Sequence, residues 1–278
     1  MHALQQINNL LKFKKFKGGI KMYESIKTKK ENFIGTITLN KPKNLNVFTS
    51  QLAEELNNAL VEFDNDKEVR VIVINAEGKG FSAGIDVNEL KNKTPFELLQ
   101  TTKLMEKMNL TITSMKKPTI ASIHGFAVAN GFGLVALCDL AIAAEGTKLG
   151  ATAINVGLSC IGPAVALSKL IGRKRTLELL LTGRIITAEE AYQWGIINKV
   201  VPKDKLNEET YKLAEELASK SPLALQITRK AFYEMADIPL EKAIELANYA
   251  FGQICTLEDA EEGINAFLEK RKPNWKER

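Results

Sequence analysis

The amino-acid sequence predicts an α/β layered fold closed by a helical tail, and three observations carry that prediction. Two apolar runs, "VRVIVINA" at 69–76 and "TIASIHG" at 119–125, read as strands buried on both faces. Strand, turn and helix patterns recur at short intervals up to about Lys199. Beyond it four helical patterns follow one another directly, at 204–219, 222–236, 240–253 and 257–270.

The elements follow in order. Residues 23–39 read as a hairpin, because "YESIKTKK" alternates imperfectly, "ENF" turns and "IGTITL" carries β-branched residues at period two. An amphipathic helix comes next, with Leu52, Leu56, Ala59, Leu60 and Phe63 on one face. "TPFE" starts another: Thr94 caps it, Pro95 fills the first turn, Glu97 closes a capping box, and the helix runs to about Met115. "GFGLVALCDLAIAAEGTKLG" reads as a short helix, a strand and a turn. In "ITAEEAYQWG", Thr187 and Glu190 form a second capping box and Gly195 stops the helix. No Gly/Ser linker separates the tail from what precedes it. The organisation expected is a basic, disordered extension at 1–21, an α/β core at 22–200, and a helical region at 201–278 that packs on the core or on a neighbour.

Composition narrows the function classes. At 278 residues, 45% hydrophobic and 26% charged, this is an ordinary soluble composition with enough chain for a large core. The net charge of +5 is mild and its lysines are dispersed, which argues against nucleic acid and suits anionic small ligands. Cys138, Cys160 and Cys255 are odd in number and lack metal-binding spacing, so the expectation is a reducing compartment with no disulfide framework and no structural zinc. The two histidines, His2 and His124, offer no basis for a His triad or metal cluster; His124, between Ile123 and Gly125, reads as packed. Residues 1–21 hold five lysines and no acid. They read as an extension of a cytoplasmic protein, an organellar matrix being the alternative if they form a presequence.

"LGATAINVGLSCIGPAVALS", at 149–168, has no charged residue or histidine. Its length would span a bilayer, yet Gly150, Gly157, Gly162 and Pro163 interrupt it and Thr152, Asn155, Ser159 and Ser168 add polar groups, so it reads as core or site wall and no membrane association is expected.

Two glycine-rich turns could carry chemistry. "EGKGFSAGIDVNEL" at 77–90 follows a buried strand, and its glycines allow backbone amides to lie close to a ligand. "HGFAVANGFGLVALCD" at 124–139 enters an apolar helix, where free amides and the positive helix end favour an oxyanion. Neither turn carries a nucleotide fingerprint.

Together with "LNKPKNLNVF", "LGATAINVGL", "LTGRIITAEEAYQWGIINKVV" and "EGINAFLEKRKPNWK", these turns occur in the order of the crotonase, or enoyl-CoA hydratase/isomerase, superfamily, which the chain resembles over about residues 32–276. The resemblance implies a crotonase-type spiral of ββα turns with a C-terminal helical oligomerisation region, assembling as a homotrimer or as a hexamer. It implies an acyl-CoA thioester substrate, with coenzyme A as part of that substrate and no separate cofactor or metal. The backbone amides that would hold the thioester oxygen fall on Ile85 and Asn130, the latter in place of the usual glycine. CoA contacts carry over to Lys43, Asn44, Leu45, Ala83, Asp86 and Val87, and Phe267 and Lys270 match tail positions that reach a neighbouring subunit's CoA.

The resemblance also exposes a departure. Where hydratases place two glutamates, this chain has Gly133 and Ala153. Each acid or base group of that kind is worth ~10²–10⁴ in rate, so ordinary hydration is not expected. The chain shares this lack, and the run "NVGL" followed by a cysteine, with the enoyl-CoA hydratase domain-containing branch. Asn155, Ser159 and Cys160 remain nearby as candidate water-positioning or nucleophilic groups, Cys160 reading as buried and inert. Asp86, which reads as holding its turn, Glu89 and Glu106 are acids that could reach in from elsewhere. The readings left open are an enolate-forming enzyme, a decarboxylase of a malonyl-type thioester, a thioesterase, and an acyl-CoA-binding oligomer with little catalysis.

Overall fold

The computed structural model describes residues 23–277; the basic segment 1–21 lies outside the described residues. Among the described residues, nine strands and five helices are interspersed as far as β9: β1 (Ile26–Glu31), β2 (Ile34–Leu39), α1 (Ser50–Asn65), β3 (Val71–Ala76), α2 (Pro95–Ser114), β4 (Thr119–Ile123), β5 (Phe126–Val128), α3 (Asn130–Leu137), β6 (Leu140–Ala144), β7 (Lys148–Gly150), α4 (Ile161–Thr182), β8 (Ile185–Thr187), α5 (Ala188–Gln193) and β9 (Lys199–Val201). Helices alone follow: α6 (Leu206–Ala218), α7 (Pro222–Met235), α8 (Leu240–Cys255) and α9 (Glu258–Leu268).

The hairpin β1–β2 turns through Asn32 and Phe33, both at positive φ (51° and 63°), the backbone that a two-residue primed turn requires. Arg70 stacks its guanidinium 4.1 Å from the Phe33 ring centroid and so fixes a conformation that an aromatic residue rarely adopts. From β2 the sheet continues in parallel through β3, β4, β6 and β9, while a small second sheet joins β5, β7 and β8. Strands β3 and β4 run with both faces covered: α1 and α2 lie on one side, and α6 on the other packs Ala214 and Ala218 against Ile34, Val71, Val73 and Ile120. The α1 face Leu52, Leu56, Ala59, Leu60 and Phe63 is buried as the spacing predicts.

The Thr94–Glu97 capping box is present. The second one is not. Thr187 accepts from the Glu190 amide at 3.2 Å, but the Glu190 carboxylate turns away to the Arg184 guanidinium, with contacts of 2.7 and 3.2 Å. A charged bidentate pair outcompetes the return bond to a backbone amide.

The uncharged run 149–168 divides into the end of β7, a tight 3₁₀ turn (Thr152–Val156) and the start of α4. Helix α4 itself changes direction at Gly172, whose φ of 72° and ψ of 173° interrupt the helical backbone. Among the described residues no helix is long and apolar enough to cross a membrane.

Candidate active site

The two glycine-rich turns lie side by side because their chains run in parallel up to the point where each bends. Phe81 donates its amide to the Phe126 carbonyl (2.8 Å), Val128 donates to Ser82 (3.0 Å), and Ser82 faces Ala127 as a parallel bridge. At the bend, a side chain on Gly84 would lie 2.6 Å from Ala129 Cβ and 3.5 Å from the Asn130 nitrogen, so only glycine permits the approach.

Each bend is followed by an outward amide. Phe48 donates to Gly84 (2.7 Å) and Asp86 donates to Phe48 (3.0 Å), so Ile85 between them turns its own N–H to the opposite side. Ala129 takes φ 48°, ψ −120°, a backbone that costs an alanine on the order of 1–3 kcal/mol, and the first bond back to its carbonyl comes from Gly133. Asn130 is therefore the first residue of α3, and its amide points out of the helix end. The structure brings the Ile85 and Asn130 positions together at adjoining turns.

The loop residues assigned to CoA lie next to this pair. Lys43 and Asn44 end a 3₁₀ turn, and the exposed Leu45 accepts the Ala83 amide at 3.0 Å. Asn46 locks the two loops: its Nδ2 donates to the Glu77 and Gly80 carbonyls, and its carbonyl accepts from Ser82 Oγ. Lys43, Asn44, Leu45, Ala83, Asp86 and Val87 thus share one edge of the site. Phe267 and Lys270 are exposed on and just beyond α9, where Phe267 lines an apolar groove of about 450 Å³ together with Ile254, Leu257 and Trp275.

The acids separate by their partners. Asp86 accepts from the Asn88 amide and side chain at 3.0 and 2.9 Å, and holds its turn as expected. Glu89 takes the Ser50 amide and hydroxyl at 3.0 and 2.6 Å and is committed to the start of α1. Glu106 is different. Its Oε1 accepts from Asn130 Nδ2 at 3.0 Å, its Oε2 accepts from Asn109 Nδ2, and burial raises its carboxyl above the ordinary glutamate range against both bonds.

Two glycines frame that carboxyl. A Cβ on Gly162 would sit 2.4 Å from Glu106 Oε1, so the helix start of α4 presses bare backbone against the acid. A Cβ on Gly133 would lie 2.8 Å from Pro163 Cγ and 3.3 Å from its Cα, which closes that position to any side chain. Asn109 keeps its Oδ1 buried and without a partner, a cost of about 1–3 kcal/mol that holding Glu106 imposes.

The remaining candidates are corrected or confined. Asn155 does not face the site: its Nδ2 donates to the Gly183 carbonyl (3.3 Å) and packs where a Gly183 side chain would be, because the turn after α4 needs an internal donor. Ser159 is exposed on the loop before α4. Cys160 is buried at the start of α4, with the Ala153 amide directed at its sulfur and Glu106 nearby. Burial raises its thiol, so it rests protonated rather than as a nucleophilic thiolate. Cys138 is buried in the core and pushed up to about 12. In native protein at pH 8, iodoacetamide is expected to label the exposed Cys255 alone, with Cys138 and Cys160 labelled only after unfolding; peptide mass mapping reads this, and rapid native labelling of Cys160 would reverse its assignment. His124, with Nε2 on the Gly78 carbonyl at 3.0 Å, holds the loop after β3.

The chain is similar to known proteins over nearly its whole length. The family model described as enoyl-CoA hydratase/isomerase matches residues 29–278. A probable mitochondrial enoyl-CoA hydratase of Dictyostelium discoideum is 35% identical over 89% of this chain and 89% of its own length. The human mitochondrial enoyl-CoA hydratase domain-containing protein 3 is 37% identical over 87% of this chain and 80% of its own. Its crystal structure superposes with a TM-score of 0.88 at 34% identity, covering 91% of this chain and all of that one (100%).

Proposed function

Because the chain belongs to the enoyl-CoA hydratase/isomerase family, we propose that it processes an acyl-CoA thioester by holding the thioester oxygen on the Ile85 and Asn130 amides as negative charge develops there. The adjoining bends at Gly84 and Ala129 carry this reading: two donors fixed by backbone at neighbouring points need no reorganisation when an enolate forms. The CoA portion lies along Lys43, Asn44 and Leu45 on one side and Ala83, Asp86 and Val87 on the other. No metal enters this chemistry.

Activity is tested by incubating the protein with crotonyl-CoA, a 3-enoyl-CoA and a malonyl-type CoA and following products by mass. Isomerised or decarboxylated product is expected, with little hydration, since Gly133 and Ala153 supply no acid. Retained affinity for CoA esters with no product at high protein concentration would overturn the enzyme in favour of an acyl-CoA-binding oligomer, and efficient hydration would overturn the consequence drawn from Gly133 and Ala153.

A homotrimer, alone or paired into a hexamer, completes the proposal. Leu240, Tyr249, Phe251 and Phe267 are each at least 69% exposed on α8 and α9, and large apolar side chains left open on neighbouring helices suit a contact between chains. Relatives named as mitochondrial, together with the basic segment 1–21, favour an organellar matrix over the cytoplasm.

A further inference from the structure

The Glu106 carboxyl is held by two asparagines and pressed by a glycine. Asn130, whose backbone amide belongs to the proposed oxyanion pair, spends its side chain on Glu106 Oε1 (3.0 Å). Asn109, one turn further along α2, holds Oε2. Gly162 leaves the room the carboxyl occupies, and Gly133, the α3 position where the resemblance expects an acid, is filled by Pro163. A glycine at 130 would provide the amide but no donor, and any side chain at 162 would collide with the acid. The asparagine at 130 and the glycine at 162 thus both serve a carboxylate that arrives from a different helix, while Gly133 is closed by Pro163.

We infer that Glu106 is the proton-carrying group of this site, delivered from α2, and that it moves a proton between carbon atoms of an acyl-CoA bearing a β,γ double bond. The inference rests on the oxyanion reading above, because the enolate needs its oxygen held. The Glu106 carboxylate takes the α-proton: the C–H bond breaks, an O–H bond forms, the C–H electron pair becomes the double bond between the carbonyl carbon and the α-carbon of the dienolate, and the carbonyl π electrons move to the oxygen; when the oxygen pair re-forms the carbonyl, that double bond shifts to the α,β position and the former β,γ pair bonds the returning proton. Collapse of the dienolate takes the proton back from Glu106 at the γ-carbon and leaves the 2-enoyl thioester. One acid-base group suffices, and no water, oxidant or reductant is consumed. Glu106 is only half-buried, and Leu158, Ile161 and Val165, on the loop and helix start that flank Gly162, expose apolar side chains.

Burial favours the proton on Glu106 while Asn130 and Asn109 favour its departure, an opposition that suits a group that must both take and return one. The groups facing it are Asn109 on α2, Asn130 on α3, and Cys160 and Gly162 at the start of α4. Of these Cys160 alone titrates, and burial keeps it protonated above the range in which Glu106 ionises.

The test is solvent-deuterium exchange at the α-carbon of a saturated acyl-CoA, and 3-enoyl-CoA isomerisation, both by mass spectrometry and NMR, with acyl-CoA binding measured by calorimetry. Glu106→Gln keeps the shape and the Asn130 bond; it is expected to bind acyl-CoA as the parent does and to lose about 10²-fold or more in both rates. Burial disfavours the ionised Glu106 in the fold, so stability declines as pH rises through its raised native pKa, and a neutral amide of the same shape should be tolerated there; the urea midpoint of the variant checks this. Glu106→Asp is expected to recover part of the rate. Asn130→Gly keeps the amide and removes the donor, so the rising limb of the pH–rate profile should move to higher pH. Exchange in the parent with rates within threefold in Glu106→Gln would overturn Glu106 and leave the oxyanion reading intact. Acyl-CoA binding without exchange or isomerisation by the parent would likewise overturn the proton carrier alone, whereas absence of acyl-CoA binding would overturn both.

Discussion

Arg229→Ala is expected to lower the unfolding free energy by about 3–5 kcal/mol, among the largest effects any single side chain here should produce. Arg229 is 7% exposed on α7, donates Nε to Asp139 Oδ2 at 2.9 Å, and gives its two terminal nitrogens to the Met115 and Ile112 carbonyls at the end of α2. The same Asp139 accepts the Thr119 amide and hydroxyl at 2.7 and 2.9 Å and the Tyr233 hydroxyl at 2.8 Å. One buried ion pair thus ties α7, the end of α2 and the start of β4 together, and removing the cation leaves two carbonyls without that donor and a carboxylate without its counter-charge. Arg229→Lys should recover only part of the loss, since an ammonium cannot reproduce the fork. Lys169→Ala, which breaks the exposed pair with Asp237, is the control and should change stability by less than about 1 kcal/mol. Urea unfolding of the three variants gives the comparison; an Arg229→Ala midpoint equal to that of Lys169→Ala would show that the tail is held by apolar packing alone.

The elements most legible in the sequence are those whose cause is local. The alternation of 34–39, the apolar run 71–76, the box Thr94–Glu97 and the spacing from Leu52 to Phe63 each specify an element through neighbours in the chain, and each is found. Helix α4 is not legible from its sequence. Glycines at 162 and 172 and the proline at 163 look like breaks, and one of them is: Gly172 turns the chain inside the helix. Pro163 is accepted because it falls in the first helical turn, where its missing N–H leaves no bond unmade. The Thr187–Glu190 pattern misleads for a tertiary reason, Arg184, which sequence spacing does not disclose.

The site divides the same way. The two backbone turns are readable because glycine spacing records where amides must point, and the structure sets the turns side by side. From the sequence Glu106 is one of three acids able to reach in, with nothing to single it out from Asp86 and Glu89. It stands in the middle of an amphipathic helix between Met105 and Lys107, where a glutamate is ordinarily solvated surface. The traces it left lie elsewhere in the chain, as an asparagine at 130 and a glycine at 162 that make sense only once α2, α3 and α4 are brought together. Asn155 shows the reverse error: nearness in sequence to the candidate wall suggested a role that its bond to Gly183 denies.

Gly133→Glu, which writes the hydratase acid back into α3, is expected to destabilise the protein by up to about 2 kcal/mol and to yield no hydratase. Its Cβ alone would stand 2.8 Å from Pro163 Cγ, 3.1 Å from Cβ and 3.3 Å from Cα, and a ring anchored in a helix start cannot swing aside as a flexible side chain would. Overpacking of this kind costs about 1–3 kcal/mol, offset by roughly 1 kcal/mol from replacing a helical glycine. The carboxylate adds a second charge close to Gly162 and hence to Glu106, and two like charges in a half-buried space push at least one of them toward the protonated form. Glu106, already raised by burial, should be driven higher, so whatever activity depends on its ionised form should fall at pH 7 and reappear at higher pH. Gly133→Ala carries the overlap without the charge and separates the two contributions: it should share most of the stability loss and none of the shift in pH profile. Denaturant midpoints and pH–rate profiles of the two variants check both parts. A stable Gly133→Glu protein that hydrates crotonyl-CoA would mean that α4 yields readily and that the lost glutamate is a simple deletion, whereas the packing of Pro163 on Gly133 and of Gly162 on Glu106 describes a pocket rebuilt around an acid from another helix.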